Sequence, residues 1–481
     1  MSDVTTTPPV PLDTADDVPA SRTAGGPRSW WWRELRPLLL RLHFYAGILV
    51  GPFLLVAALT GLLYTITPQL EQIVHRHELT APVPPGASAL PLATQVSAAV
   101  AALPEGTVTE IRPPRATGGT TRVVFDAPGT PPDYSRTVFV DPYTAQVRGT
   151  LTTFGEWLPV RAWFDEMHRT LHLGDVGRLY SELAASWLWV LTLSGLALWL
   201  ARRRRTRRVR RTLLPEGGEP GRGRLLSWHA TVGVWATLGL LFLSATGLTW
   251  SHFAGDNVTT LRSALSWSTP DVPTTLPTPV AAGAAATPAP ALPDAAQRAL
   301  AVARAHGMTD PVALTPPDGP GVAWQVQQVQ RSWPEKQDAM AVGLGATPDG
   351  DALAHQVRFA DWPLAAKLAR WGVDAHMGLL FGPVSQVALA ALALGLLCMV
   401  VWGYRMWWLR RPPSGGRGGP VAGAPGGARR PGFGAVLTVA AAAVAVGVFL
   451  PVFGASVLLF LLVDAVRHGR GAPERAELSS V

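Results

Sequence analysis

The sequence predicts a polytopic α-helical membrane protein of about six helices, internally duplicated, with two small α+β domains on one side of the membrane. Three observations lead there: apolar stretches of membrane-spanning length, arginine clusters at one set of their ends, and a spacing of His, Gly and Thr-Gly-Leu that occurs twice.

The apolar content comes first. Of 481 residues, 48% are of apolar type and only 15% are charged, and the mean hydropathy is +0.20. That is poor in charge for a soluble chain of this size. Apolar cores run about Phe44 to Ile66, Tyr180 to Leu200, Ala230 to Ser251 and Pro383 to Tyr404. Each approaches the ~20 residues that a ~30 Å hydrocarbon layer requires. Transmembrane helices are therefore expected over 37–67, 172–201, 225–252 and 376–409. A final apolar region, 433–466, is too long for one span and carries Pro451 at its middle, so a helical hairpin is expected there.

Charge sets the orientation. The net charge is +8, and Arg202, Arg203, Arg204, Arg205, Arg207, Arg208, Arg210 and Arg211 stand together after the second span. A basic run directly following an apolar span reads as a cytoplasmic anchor rather than a nucleic-acid patch. Arg33, Arg36 and Arg41 before the first span, Arg410 and Arg411 after the fourth, and Arg467 and Arg470 after the last fall on the same side if every segment crosses. Both termini are then cytoplasmic, with 1–30 a disordered tail, 202–224 a basic loop and 410–432 a Gly/Pro/Arg linker.

Two long segments remain outside, 68–170 and 253–375, the second with a Pro/Ala linker at 268–292. Each reads as a helix followed by short strands. In the first these are Thr94 to Leu103, then Thr121 to Phe125, Thr137 to Val140 and Gln146 to Leu151. In the second, helix Asp294 to His306 precedes strands near Val312, Ala323 to Val329, Ala339 to Val342 and Ala354 to Phe359. Asp141-Pro142-Tyr143-Thr144 is a hairpin turn in which proline presets φ and Asp caps the turn.

The duplication is the clearest signal. His43, Gly47 and Thr60-Gly61-Leu62 of the first span recur as His229, Gly233 and Thr246-Gly247-Leu248 of the third without a gap. The approach Phe154, Trp157, His172-Leu173-Gly174 resembles Phe359, Trp362, His376-Met377-Gly378 with a one-residue shift. Each half is span, outer domain, span, in the same orientation, so equivalent positions should face each other about a pseudo-two-fold axis along the membrane normal.

In combination, the doubled H-x3-G and T-G-L spans, the outer segments with their D-P-Y-T hairpin, and the Arg-bounded span ends resemble the PepSY-associated transmembrane helix family over about Leu40 to Val466. The resemblance implies a multi-pass protein of the bacterial cytoplasmic (inner) membrane with PepSY-like outer domains and a link to iron uptake. Some members look like haem-containing reductases of ferric siderophores. The second outer segment departs from the pattern, with Thr347-Pro348-Asp349-Gly350 in place of the D-P-x-T-G type of turn.

Histidines are the candidate chemistry. His43, His229, His172, His376, His168 and His252 lie in or beside apolar spans, where an ionisable side chain is costly and calls for a function or a named partner. Symmetry places His43 opposite His229, and His172 opposite His376, each pair able to hold one haem iron; His168, a turn before His172, is an alternative ligand and His252 a reserve one. The single cysteine, Cys398, excludes an intrachain disulfide, a Cys-ligated cluster and a C-x-x-C-H attachment, so any haem here is a non-covalent haem b. The expected function is a di-haem electron carrier that reduces ferric siderophores or other ferric chelates outside the membrane. No nucleotide-binding motif is present, so the donor would be a quinol or a separate reductase, with membrane lipid the other partner. The competing reading is a non-enzymatic scaffold or regulator whose outer domains bind a peptide or protein.

Overall fold

The computed structural model describes residues 27–206, 213–216, 220–276, 291–347, 350–410 and 433–469. The amino-terminal tail to residue 26, the arginines at 207–211, most of the Pro/Ala linker, Pro348-Asp349 and the 411–432 linker fall outside the described residues.

The membrane-spanning part is smaller than the expected six helices. Among the described residues, three are long and apolar enough to cross: Gly174–Arg202, Arg222–Leu248 and Pro383–Trp408. They are the apolar parts of α7 (Gly174–Thr206), α8 (Arg222–Leu248) and α12 (Pro383–Trp408). A fourth span exists if α1 (Pro27–Leu49) and α2 (Gly51–Tyr64), bent by 60° at Val50, count as one. Among the described residues the carboxy-terminal region supplies none of that length. Its apolar helices Leu437–Phe449 and Pro451–Leu462 are each too short, since a dozen residues at 1.5 Å cover only about 18 Å. They belong to α13 (Phe433–Phe449) and α14 (Pro451–Gly469), and the chain breaks at Leu450 because Pro451 has no N–H to continue the ladder. Gly447 and Gly454 let the two helices touch: a Cβ on Gly447 would stand 2.9 Å from the Gly454 Cα. The pair docks on α7, where Trp187 Nε1 donates to Ser456 Oγ at 2.9 Å.

The bend in the first span has an identifiable cause. Pro52 lacks the N–H that would bond the Ile48 carbonyl. That carbonyl instead accepts the Tyr404 hydroxyl of α12 at 2.6 Å. Gly51 makes the approach possible, since a Cβ there would lie 2.9 Å from the Tyr404 oxygen. The bend thus ties the first span to the last and parts α1 from α2 where the cavity described below opens.

Glu182, the one acidic residue well inside a span, is fully buried and has a structural task. Its carboxylate accepts the backbone N–H of Phe253 at 3.0 Å and of Ala254 at 3.1 Å. It therefore caps the otherwise unsatisfied start of α9 (Phe253–Ala264), at the positive end of that helix dipole.

The two outer segments are not two domains, each with its own core, but halves of one antiparallel sheet. The first half is α5 (Leu92–Ala102) with β1 (Thr107–Arg112), β2 (Thr121–Asp126), β3 (Ser135–Val140) and β4 (Val147–Thr153). The second is α10 (Leu292–Ala305) with β5 (Val312–Thr315), β6 (Trp324–Gln328), β7 (Ala339–Thr347) and β8 (Gly350–Val357). Strand order is β4-β3-β2-β1-β5-β6-β7-β8, and the halves join where Ile111 pairs with Leu314. Separate four-stranded sheets would leave β1 and β5 as open edges, and their pairing removes both. Helices α5 and α10 cover one face. Val96, Ala99, Ala296 and Ala299 form a common core with Phe125 and Val326 of the strands. The Asp141 turn forms as its residues require, with Oδ1 accepting the N–H of Tyr143 at 2.8 Å and of Thr144 at 3.2 Å.

α3 (Thr67–Val74) follows the first span, and α6 (Pro159–Thr170), which packs against β4, and α11 (Leu364–His376) are the short amphipathic helices that lead into α7 and α12. These two short helices carry the outer histidines.

Candidate functional site

The arginine-rich end of the bundle encloses a cavity of about 470 Å³ between α1, α7, α8 and α12. Its lining is apolar apart from two histidines, Thr192, Tyr404 and a rim of arginines. Inside it the His43 and His229 rings face each other edge to face, centroids 6.2 Å apart with 89° between their planes. His43 Nδ1 donates to the Leu191 carbonyl at 3.1 Å, with Ser194 Oγ 3.0 Å away. His229 Nδ1 donates to the Met399 carbonyl at 3.0 Å. A carbonyl can only accept, so in both rings the proton sits on Nδ1 and the Nε2 lone pair is left for a ligand. Glycine provides the clearance: a Cβ on Gly195 would stand 3.1 Å from His43 Cε1.

The cavity is lined symmetrically. Leu40, His43, Gly47 and Leu54 of the first span match Leu226, His229, Gly233 and Leu240 of the third. On the other two helices Leu188, Gly195 and Trp199 match Leu396, Gly403 and Trp407. The duplication seen in sequence is therefore a pseudo-two-fold site in space.

The second histidine pair lies at the sheet end. His229 and Thr246 stand on one helix, seventeen residues apart, which sets the two levels about 25 Å from each other along its axis. Here Thr60 and Thr246, the threonines of the repeated Thr-Gly-Leu, take up His168 and His376. Thr60 Oγ1 meets His168 Nδ1 at 2.9 Å while its hydroxyl donates to Val56 O at 2.9 Å. Thr246 Oγ1 meets His376 Nδ1 at 2.6 Å while donating to Phe242 O at 2.7 Å. With the hydroxyl donating to the helix carbonyl, Nδ1 is the donor to the threonine oxygen and Nε2 is left open. The glycines of the same motif leave room for the rings, a Cβ on Gly61 standing 3.2 Å from His168 Cε1 and one on Gly247 4.0 Å from His376 Cε1. His168 and His376 lie within electrostatic reach of each other. Trp250 packs against His376 at 5.3 Å.

The structure thus brings His376 together with His168 and not with His172. His172 follows the end of α6 in left-handed backbone, φ 57°, and is exposed against Trp163 at 5.0 Å. His252 is also exposed, stacked on Phe253 at 4.6 Å beyond the end of α8. Neither enters the bundle.

An ion network ties the sheet to the helices that carry the outer pair. Arg331, in the loop after β6, bonds Glu156 at 2.5 Å and Asp374 at 2.6 Å. Glu156 lies just before α6 with His168, and Asp374 is two residues from His376. Burial pushes the Glu156 carboxyl up, but the charges of Arg331, Arg115 and Arg112 overcome it and hold it well below the usual carboxylate range. One arginine of the second repeat therefore ties the segment before α6 to the last turn of α11. Sequence reading missed Arg331, Thr60 and Thr246 as parts of a site. The threonines had a signal, since each recurs seventeen residues after a repeated histidine.

Among the described residues no group of three or more His, Cys, Asp or Glu is placed to hold a metal ion. A metal centre here would have to bring most of its own ligands, as a porphyrin does. Two metal–nitrogen bonds of ~2 Å, plus the distance from each nitrogen to its ring centre, sum to about 6 Å. The His43–His229 centroid separation of 6.2 Å is of that size, and the cavity has the size and apolar character of a cofactor site. The donor set and the space at this level fit a haem. At the outer level His168 and His376 are each held at Nδ1 by a threonine hydroxyl.

Thr246→Val is expected to unpair His376 Nδ1 and weaken any metal held by its Nε2 by ~10-fold or more, as loss of an outer hydrogen-bond partner does. Haem titration of Thr246→Val beside Thr237→Val, which faces no histidine, checks it.

Bent and straight apolar spans, a fused sheet at one end and two half-buried histidine pairs define a multi-pass helical membrane protein built by duplication. Residues 40–410 match the PepSY-associated TM region, and the chain belongs to that family. No curated protein matches it.

Proposed function

We propose that this protein is a di-haem electron carrier of the bacterial cytoplasmic membrane that reduces ferric siderophores or other ferric chelates at the sheet side. The observation that carries the reading is the common state of four imidazoles. Each has Nδ1 committed to a carbonyl or a threonine, each has Nε2 open, and they form two pairs at opposite ends of one bundle. Histidines kept only for helix packing have no need of one tautomer four times over.

In this reading His43 and His229 hold one haem b and His168 and His376 the other. A haem when bound supplies a one-electron ferric/ferrous couple. The chain's own part is to fix both imidazole orientations, to exclude water around His43 and His229 with leucine and glycine, and to brace the outer pair under the sheet through Arg331. The arginine-rich end faces the cytoplasm and the sheet faces outward, by the positive-inside rule. A quinol or a separate reductase delivers electrons, and the ferric chelate takes one at the outer surface. Ferrous iron binds hard oxygen donors less tightly than ferric iron, so one electron loosens the chelate.

The test is a proteoliposome assay. After reduction with dithionite and its removal, a ferric hydroxamate or catecholate siderophore should reoxidise the haem and yield ferrous iron trapped by a ferrous-specific dye. Haem that stays reduced before several chemically different ferric chelates would reject iron reduction and favour the scaffold or regulator reading.

A further inference from the structure

The rim of the large cavity is as symmetric as its floor, and the symmetry extends to charge. Arg36 stands seven residues before His43, and Arg222 seven residues before His229. Seven residues are close to two helical turns, so each arginine lies on the same helix face as its histidine, about 10 Å nearer the helix start. Both line the cavity and both are exposed at its mouth. Arg202 and Arg410, matched across α7 and α12, complete the rim.

These four are not equivalent. Arg202 lies 3.6 Å from Glu216 and the Arg410 guanidinium sits 5.1 Å from the centre of the Phe44 ring. Among the described residues Arg36 and Arg222 have no carboxylate partner. Topology alone would be served by positive charge anywhere in the flanking loops. It does not require two arginines in register with two histidines, both lining one apolar cavity.

From this geometry, and resting on the haem reading of His43 and His229, we infer that Arg36 and Arg222 form a paired carboxylate clamp, so that the cavity selects a tetrapyrrole dicarboxylate held with both acid groups toward the arginine-rich mouth. Each guanidinium offers a planar fork suited to one carboxylate. The two-fold arrangement matches a ligand with a metal on the axis and two acids on one edge. The apolar floor, from Leu54 and Leu240 upward, receives the edge without acids.

The test compares haemin with haemin dimethyl ester, in which both acids are masked, by absorbance titration of the full-length detergent-purified protein carrying His168→Ala and His376→Ala, so that only this site is read. Haemin should bind at least ~10-fold more tightly than its ester, the size expected for losing charge-assisted contacts. Arg36→Gln with Arg222→Gln should erase that preference while leaving ester affinity unchanged. Equal affinity of the parent protein for acid and ester, or an undiminished preference in the arginine variant, would overturn the clamp but leave the histidine site standing. Failure to bind either compound would overturn both.

Discussion

Replacing His229 by alanine is expected to remove about half of the haem absorbance of the purified protein, because on the di-haem proposal one of the two sites would lose a histidine that holds its haem. His43→Ala should do the same, and the two together should do no more than either alone, since both serve one iron. Combining His43→Ala with His376→Ala should remove nearly all the absorbance. These changes are well suited to the purpose. Both inner rings already border open space, so truncation enlarges a cavity of about 470 Å³ rather than opening one in a packed core. Loss of haem with a retained elution profile would therefore report ligation and not unfolding.

The second large effect separates His168 from His172. His168→Ala or His376→Ala should abolish the outer haem signal and with it the reoxidation by ferric chelates, leaving the inner centre reducible. His172→Ala should leave both spectra unchanged, because that ring is exposed on Trp163 outside the bundle. Reduced-minus-oxidised spectra of the three variants decide it. If His172→Ala abolished the outer signal while His168→Ala left it intact, the assignment of the outer pair would be wrong.

How far the site could be read from the sequence turns on a choice of repeat interval. In the first and third spans the match of His43 and His229 and of Thr60 and Thr246 needs no gap. The inner pair is therefore visible before any coordinates. In the second and fourth spans the eye is drawn to His172-Leu173-Gly174 against His376-Met377-Gly378, which look alike locally. The structural match is set instead by Gly195 with Gly403, Trp199 with Trp407 and Arg202 with Arg410, all at one interval, and that interval leads from His376 back to His168. The short similarity misleads because α6 ends at Thr170 and the chain turns through left-handed Leu171 and His172 before α7, whereas α11 runs on to His376.

The fold was legible to the same mixed degree. Helical periodicity located α5 and α10 within two residues, and the Asp141 turn was plain from its own chemistry. Strand β1 was missed: Thr107–Arg112 has Glu and Arg on the face turned away from the helices and only Val108 and Ile111 in the core, a weak alternation to read alone. Fusion of the two outer units was not legible either, because one pairing of Ile111 with Leu314 decides it and nothing local to either strand announces a partner two hundred residues away. The count of spans failed for a different reason. Composition over 433–466 is apolar enough for crossing, but the break before Pro451 leaves each piece short.

The most direct test of the central claim is the haem content of the purified full-length protein, measured by reduced-minus-oxidised and pyridine-haemochrome spectra against protein concentration. Two non-covalent b-type haems per chain, each low-spin as bis-histidine ligation requires, are the predicted result; no haem after expression with ample haem supply, and none taken up on titration, would contradict it.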